Sequence, residues 1–443
     1  MNTLFQDTVH AKRVEAGGVC EQARTIPVAA EVDVVVCGGG PAGVGAALAA
    51  AREGARTLLL ERFGMLGGLW TVGLMNPFFE CFNKGYVVQD LIDRLKAEGA
   101  WRTWLFAATF DNETMRRVLE AMMGEAGADF LYDTLAVDAI VEDGRVRGVV
   151  IESKAGRQAV LAKVVIDATG DGDMAARAGC RYECGREQDG LVQPMTLMFE
   201  IRGAGRFEQT SAGPLYDAMQ AAIRAHNLNI EIPVARTNAA PWIIALPCHD
   251  MAAVETTHVY GLNPLSPADL TRGTVEARKQ VWDMVKVLKH VPGFEKIELI
   301  RSAGTLGVRE SRRIFGRYRL EYADLRDGRR FDDAVTPCSF CVDIHEPVMG
   351  TGDGVGHGTP MQPYEIPYRC LVAADVEGLL LAGRCLSGSH VAHASYRVTG
   401  TAMATGQAAG LAAALAVRAG VTPADVDGPK LKQALAGRGV QFL

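Results

Sequence analysis

No apolar run in this chain of 443 residues approaches the roughly 20 residues of a membrane-spanning helix; its longest stretches, such as residues 411–417, are far shorter. The opening residues carry His10, Lys12, Arg13 and Glu15 and lack the apolar core of a secretory leader. No membrane partner and a cytoplasmic location are therefore expected. Charge of one sign is missing too: 46 Lys+Arg against 52 Asp+Glu leave −6, with no long block of either sign. Without a basic patch there is no electrostatic case for nucleic acid as a partner. Tandem repeats and low-complexity tracts are also lacking. With 48% hydrophobic and 22% charged residues the composition is globular, which excludes disorder and fibre.

Cysteine is present but not clustered, at Cys20, Cys37, Cys81, Cys180, Cys184, Cys248, Cys338, Cys341, Cys370 and Cys385. Iron–sulfur ligation of the bacterial type needs a run such as C-x2-C-x2-C-x3-C, and only Cys180-x3-Cys184 and Cys338-x2-Cys341 come near it. Free thiols, no cluster and no metal are expected. Cys338 and Cys341 read as unpaired strand cysteines sooner than as a redox pair. Glycine is in excess: 49 of 443 residues is about 11%, against the usual ~7%, and it gathers beside apolar runs.

The first such place is Val32-Asp-Val-Val-Val-Cys37 followed by Gly38-Gly-Gly40, a buried parallel strand and its tight turn. Pro41 suits the first turn of a helix through the alanine-rich residues 46–51, and Arg56-Thr-Leu-Leu-Leu-Glu61 is a second buried strand. Gly38-x-Gly40-x-x-Gly43 thus lies between strand and helix, with Glu61 about 20 residues on, as in the dinucleotide fingerprint. The glycines let backbone approach a pyrophosphate at the helix N-terminus, and Glu61 can accept from a ribose diol.

Helical spacing follows over residues 86–96 and 111–125, with Asp111 as N-cap and Gly99 and Gly127 as stops. Strands are expected at 128–132, 135–141 and 145–152, the last two joined by Glu142-Asp-Gly144, and at 163–167. The texture changes between about 190 and 365, with strands at 195–201 and 242–246 and a long helix opening on Ser266-Pro-Ala-Asp269. It returns to β/α with a strand at 378–382 and a small-residue helix over 398–417. The expected fold is α/β. An N-terminal arm (1–30) precedes a discontinuous Rossmann-like FAD-binding domain (31–190 and 365–443), interrupted by an α+β substrate domain (191–364). FAD is preferred to NAD because Arg62-Phe-Gly-Met-Leu-Gly67-Gly68 forms a second glycine loop, and because Ala168-Thr-Gly170-Asp171 and Leu381-Ala-Gly383-Arg384 return far downstream. A second fingerprint, as in a stable NAD(P)H domain, is missing.

These residues, with Arg309-Glu-Ser-Arg-Arg313, Asp343-Ile-His345, Ile366-Pro-Tyr-Arg369 and the block from Leu381 through His393-Ala-Ser-Tyr-Arg397 to Gly410, resemble the FAD-dependent oxidoreductases of the two-dinucleotide-binding-motif flavoproteins. The branch is that of the flavin part of heterodisulfide reductase, distantly similar to fumarate reductase flavoproteins. The resemblance covers most of the chain. It implies cofactor contacts from Gly38, Gly40, Pro41, Ala42, Gly43, Glu61, Arg62, Gly67, Gly68, Val137, Ala168, Gly170, Asp171, Gly383, Arg384, Thr399 and Gly400. It also implies that the turn at residues 397–402 sets a helix N-terminus against the flavin pyrimidine.

Catalytic candidates are His345, Arg309, Arg312, His393 and Arg397, with Arg313, His390 and Tyr396 near them in sequence. Arginine forks suit carboxylates or the cofactor's phosphates, so a local cationic pocket and a small organic, carboxylate-bearing substrate are expected. A histidine beside the flavin would serve as acid or base while hydride moves to or from N5. The bland alternative is that Arg309 to Arg313 brace two domains and His345 is a satisfied core residue. Asp171-Gly-Asp173 leaves a flavin monooxygenase open. Kinship to a reductase leaves open an electron-transfer component with a redox partner protein, and self-association is open as well. The glycine-rich residues 350–358, with Asp353 and His357, read as an active-site lid or a plain surface loop.

Overall fold

The computed structural model describes residues 12–15, 17–21, 23–104, 107–203, 212–236, 241–248, 250–352 and 359–443. Strand Val28–Cys37, helix Pro41–Arg52 and strand Thr57–Leu60 form the β-α-β unit. Val34, Val35, Val36 and Cys37 are wholly buried, because a parallel strand covered on both faces needs continuous apolar side chains. Asp129–Leu131 and Thr57–Leu60 lie to one side of Val28–Cys37, and Gly156–Asp167 lies to the other, all parallel. Gly156–Asp167 forks. Its first half joins an antiparallel meander with Arg145–Ser153 and Leu135–Glu142, and its last residues pair in parallel with Leu379–Leu381. The meander turns at Asp143 and Gly144, φ 48° and 74°, the two left-handed positions that a tight hairpin requires.

Helix Thr399–Ala419 is buried on all sides and crosses Pro41–Arg52 with the two backbones in contact. A side chain on Gly406 would overlap the Ala42 carbonyl, one on Gly410 the Ala46 carbonyl, and one on Gly45 that of Met403. This contact explains why the helix is built of alanine and glycine. Among the described residues it is the helix long and apolar enough to cross a membrane, and 89% of that stretch is buried inside the protein.

The inserted unit has its own core on a four-stranded antiparallel sheet, in the order Trp242–Ala245, Met251–Glu255, Phe199–Arg202, Glu298–Ser302. Helix Pro267–Leu288 packs into that core and is capped by Ser266, whose hydroxyl accepts from the Asp269 N–H at 3.3 Å. This core closes at Leu306, whereas Ile314 through Ile344 pack into the first core. The expected 191–364 segment is therefore shared between two cores. Strand Arg312–Ile314 pairs with Tyr182–Cys184, and Ala334–Cys338 pairs with Tyr364–Pro367; strand pairing of this range is invisible in hydrophobic texture.

Asp167 ends the forked strand fully buried. It accepts from the Thr169 N–H (3.1 Å), the Thr169 hydroxyl (2.7 Å) and the Ala175 N–H (2.9 Å). Burial pushes its pKa up to about 6 against these donors. An acid with a raised folded pKa binds an extra proton in the folded state, so its contribution to stability falls as pH rises between about 4, its unfolded value, and 6. Urea unfolding of wild type and Asp167→Asn at pH 4 and pH 6.5 should show the difference moving in the variant's favour at the higher pH. An unchanged difference would show that Asp167 titrates normally.

Candidate cofactor and substrate site

A cleft of ≈ 1130 Å³, open to solvent, lies at the C-terminal ends of the parallel strands, where this class of sheet binds its ligands. Its wall brings together Gly38, Gly40, Pro41, Ala42, Glu61, Arg62, Gly68, Ala168, Gly170, Asp171, Gly383, Arg384, Arg397 and Thr399. Gly38 holds φ +103°, and a side chain on Gly40 would meet nothing within 4 Å, so the turn is open toward the cleft. The other expected contacts stand behind the wall. Gly43 packs the helix on the Gly38 carbonyl, Gly67 donates to the Gly39 carbonyl at 2.8 Å, and Gly400 packs on the backbone of Phe79 and Glu80. Val137 falls at the irregularity between the Ala136–Ile151 and Asp138–Val150 pairings, and the wall there is Thr134, Leu135 and Ala136.

Glu61 accepts from the Gly39 N–H at 2.6 Å and the Phe63 N–H at 2.8 Å, which ties the second strand to the turn. Burial raises its pKa against those two bonds, and each oxygen keeps a lone pair for a ribose hydroxyl. Asp171 Oδ1 accepts from Ser311 (2.6 Å) and Arg384 (2.9 Å). Burial works against its charge, but Arg384 and the Ser311 bond outweigh it and hold the pKa below the ordinary carboxylate value. Arg384 Nη1, Arg397 Nε and Thr399 Oγ1 are buried on this wall without a hydrogen-bond partner among the described residues. Helix Thr399–Ala419 begins here with no side-chain cap from Val398, leaving its first N–H groups for a ligand. An open glycine turn, a helix N-terminus and unpartnered donors fit an extended cofactor with phosphates at its middle and ring carbonyls at one end.

Thr305, Leu306 and Val308 of the inserted unit complete the wall. Behind Arg397 runs a buried polar chain. Arg397 Nη2 donates to the Asp343 carboxylate and carbonyl, both at 2.9 Å; Asp343 Oδ2 lies 3.4 Å from His345 Nε2; His345 Nδ1 lies 2.8 Å from His258 Nε2. Burial disfavours the Asp343 carboxylate, but His345 and the charges of Arg397 and Arg309 hold its pKa well below the usual range. Burial and the Arg309 charge lower both histidine pKa values, His258 further than His345, which Asp343 supports. Arg309 bonds Glu255, the Pro194 carbonyl (2.7 Å) and Thr196 (2.6 Å).

Of the catalytic candidates, only Arg397 lines the cleft; His345 stands two contacts behind it, beyond Asp343. Arg312 donates to the Asp171 carbonyl (3.0 Å) and Asp173 (2.8 Å) and lies over the Tyr182 ring. Arg313 pairs with Glu310, which also takes His390 Nδ1 at 2.8 Å. His393 is fully buried with both ring nitrogens unpartnered among the described residues, and burial, then Arg313 and Arg397, push its pKa well down. Each of the five arginines thus has an acidic partner: Glu255, Asp173, Glu310, Asp171 or Asp343. The expected cationic pocket is neutralised, because the acids come from segments distant in sequence.

Sequence reasoning gave no role to Glu255, His258, Glu310, Ser311 or Asp343. The last three stood inside the family's motifs, and Glu255-x-x-His258 was the remaining signal. All ten cysteines are free. Cys338 is buried beside Ser395 and Thr401, and burial pushes the Cys341 thiol up to about 12, so both are thiols at neutral pH. Asp353, His357 and the rest of the lid candidate at 353–358 lie outside the described residues.

Fold and cleft together define a dinucleotide-binding flavoprotein. The chain belongs to the FAD-dependent oxidoreductase family, whose model matches residues 33–435; its cofactor is FAD and it is an oxidoreductase. A thiamine thiazole synthase of Methanococcus aeolicus is 35% identical over 175 residues, which is 37% of this chain and 63% of that protein. The chain therefore spans less than two thirds of that relative's length. One of Aeropyrum pernix is 35% identical over 250 residues, 47% of this chain and 88% of that protein. Among solved structures, a flavin-dependent brominase is 15% identical with a TM-score of 0.48, covering 92% of this chain and 83% of that one.

Proposed function

We propose that the protein moves a hydride between a small organic substrate and flavin N5, with His345 handling the accompanying proton. The observation that carries this reading is the pairing of Asp343 with both Arg397, on the cleft wall, and His345, behind it. Bound FAD supplies the two-electron acceptor or donor at N5. The glycine turn and the Pro41–Arg52 N-terminus would bind its pyrophosphate, Glu61 a ribose, and Arg384, Thr399 and the helix N-terminus would orient the ring end. Thr305, Leu306 and Val308 would line the substrate side. Asp343, kept ionised, fixes the tautomer of His345 with its proton at Nε2. Since Arg309, Arg312, Arg313, Arg384 and Arg397 are each paired with an acid, the site favours a substrate recognised without a carboxylate over one that requires it.

Anaerobic mixing of the yellow holoenzyme with secondary alcohols, amines and hydroxy acids tests this. At least one is expected to bleach the flavin, and His345→Ala, with unchanged flavin content, should slow bleaching by ~10²–10⁴-fold, the contribution of a positioned acid or base. Bleaching only by NAD(P)H, with oxygen entering the product, would replace this reading by a monooxygenase. Equal rates in wild type and variant would remove His345 from catalysis.

A further inference from the structure

His258 and His345 are both nine-tenths buried or more, and their rings meet head to head, Nε2 to Nδ1, at 2.8 Å. One end of the pair faces Asp343 and, through it, the cleft. At the other end His258 Nδ1 is buried with no partner among the described residues. His258 also lines a second cavity, of ≈ 710 Å³ and open to solvent, with Tyr260, Glu276, Lys279, Gln280 and Asp283. The Gln280 side chain clamps the His258 backbone, accepting from its N–H at 3.0 Å and donating to its carbonyl at 2.9 Å, so the ring is held between the two cavities.

Building on the proposed hydride chemistry, we infer that His258 and His345 form a proton relay that joins the flavin cleft to solvent through the cavity behind Tyr260. Asp343 sets the resting tautomer: His345 carries its proton on Nε2, His258 donates its Nε2 proton to His345 Nδ1, and His258 Nδ1 is a bare acceptor. A solvent proton bonds to His258 Nδ1 as the Nε2–H bond breaks. The proton that leaves His258 Nε2 bonds to His345 Nδ1 as the Nε2–H bond of His345 breaks; that second proton bonds to the Asp343 carboxylate, 3.4 Å away, and passes from it to a base formed in the cleft, which leaves Asp343 ionised again. One proton has crossed, no electron has moved, and both rings end neutral. Each ring now carries its proton on Nδ1, and substrate oxidation runs the steps in reverse from that tautomer, with Asp343 passing the substrate's proton to His345 Nε2. The depressed pKa values of both rings agree with a pair that passes protons without storing charge.

Glu255, His258 and His345 also offer ligand atoms within 4.8 Å of one another, close enough to share a metal ion. The charges argue against that occupant. Glu255 is already held by Arg309 and Asp343 by Arg397, so these four groups sum to zero, and a divalent ion would add two uncompensated buried charges. A proton hop adds none.

The test is 15N-histidine NMR on the FAD-loaded protein, which needs no substrate and so stands whether or not hydride transfer is found. Wild type should show both rings neutral and Nε2-protonated between pH 6 and 8, with a 15N–15N coupling across the bond joining them. A ring that titrates alone in that range, or no coupling, would overturn the pair. Exchange of the His345 Nε2 proton with water should be at least about 100-fold slower in His258→Gln, the low side of what a positioned proton carrier contributes. It should also be slower in His258→Ala and recover there on adding imidazole. Exchange at the wild-type rate in both variants would show another exit and sink the relay. Loss of the coupling on adding one equivalent of Zn²⁺ would make this a metal site instead.

Discussion

Gly43→Ala is expected to purify without flavin. The new Cβ would overlap the Gly38 carbonyl oxygen, and Gly38 has nowhere to retreat. Its N–H is bound to the Leu60 carbonyl at 2.8 Å, and its own Cα face is closed by the Ala168 backbone. The strain must push helix Pro41–Arg52 away from the turn, at a cost of about 1–3 kcal/mol for an overpacked site. Helix Thr399–Ala419, in backbone contact through Gly406 and Gly410, would be displaced with it, so both helix N-termini leave the cofactor. The visible-to-ultraviolet absorbance ratio of the purified protein reads flavin content, and a thermal shift on adding FAD reads residual affinity; both should be near zero. Gly40→Ala is the control, since its Cβ meets no protein atom within 4 Å. That variant should melt like the wild-type apoprotein and still bind FAD poorly, because the methyl group occupies the cofactor's space. Equal flavin content in Gly43→Ala and wild type would show that the turn yields more easily than its contacts allow.

Glu310→Ala should be strongly destabilising. Glu310 is fully buried and accepts from Arg313, from His390 Nδ1 at 2.8 Å and from the Gln193 N–H at 3.3 Å. Its removal leaves the buried Arg313 guanidinium with the Gly388 and Gly185 carbonyls and a 3.5 Å contact to Glu183. Breaking a buried pair from one side costs about 3–5 kcal/mol, a fall in Tm of about 3–5 °C in a chain of this size. Replacing both partners, Glu310→Met with Arg313→Met, should cost less than the sum of the single changes, since no unpaired charge remains. Thermal unfolding of the four proteins with FAD bound gives the cycle, and additivity would show that the pair is not coupled. The result also bears on bracing. Arg309, Arg312 and Arg313 all hold acids or carbonyls of other segments, so bracing is the role their contacts support, while Arg397 reaches the cleft.

The FAD-binding half was legible because its signals are local. A β-branched run, three glycines at fixed spacing and an acid one strand later are all dictated by a turn within about 25 residues. The caps at Asp111 and Ser266 and the Asp143-Gly144 turn were likewise readable, since a cap or turn is satisfied by neighbours in sequence. The inserted unit's extent was not. Ile314 and Ile344 have the same apolar character as Ile201 and Val254, but they entered the other core, and apolarity does not name its partner. The polar chain behind the cleft was hidden for a related reason. His258 and His345 come from segments 87 residues apart, and Arg397 and Asp343 are 54 apart.

By itself the sequence determined the cofactor. Glycine count and spacing are imposed by how closely backbone must approach a pyrophosphate and how closely two helices must cross, and both demands are written position by position. Only the tertiary structure decided the character of the substrate side. Five arginines read as a cationic pocket until folding set an acid against each of them. Burial makes that pairing obligatory, because an unpaired charge away from water costs several kcal/mol. The same folding put two histidines end to end, and an isolated histidine in sequence becomes a proton path only when another ring is placed at hydrogen-bond distance from it.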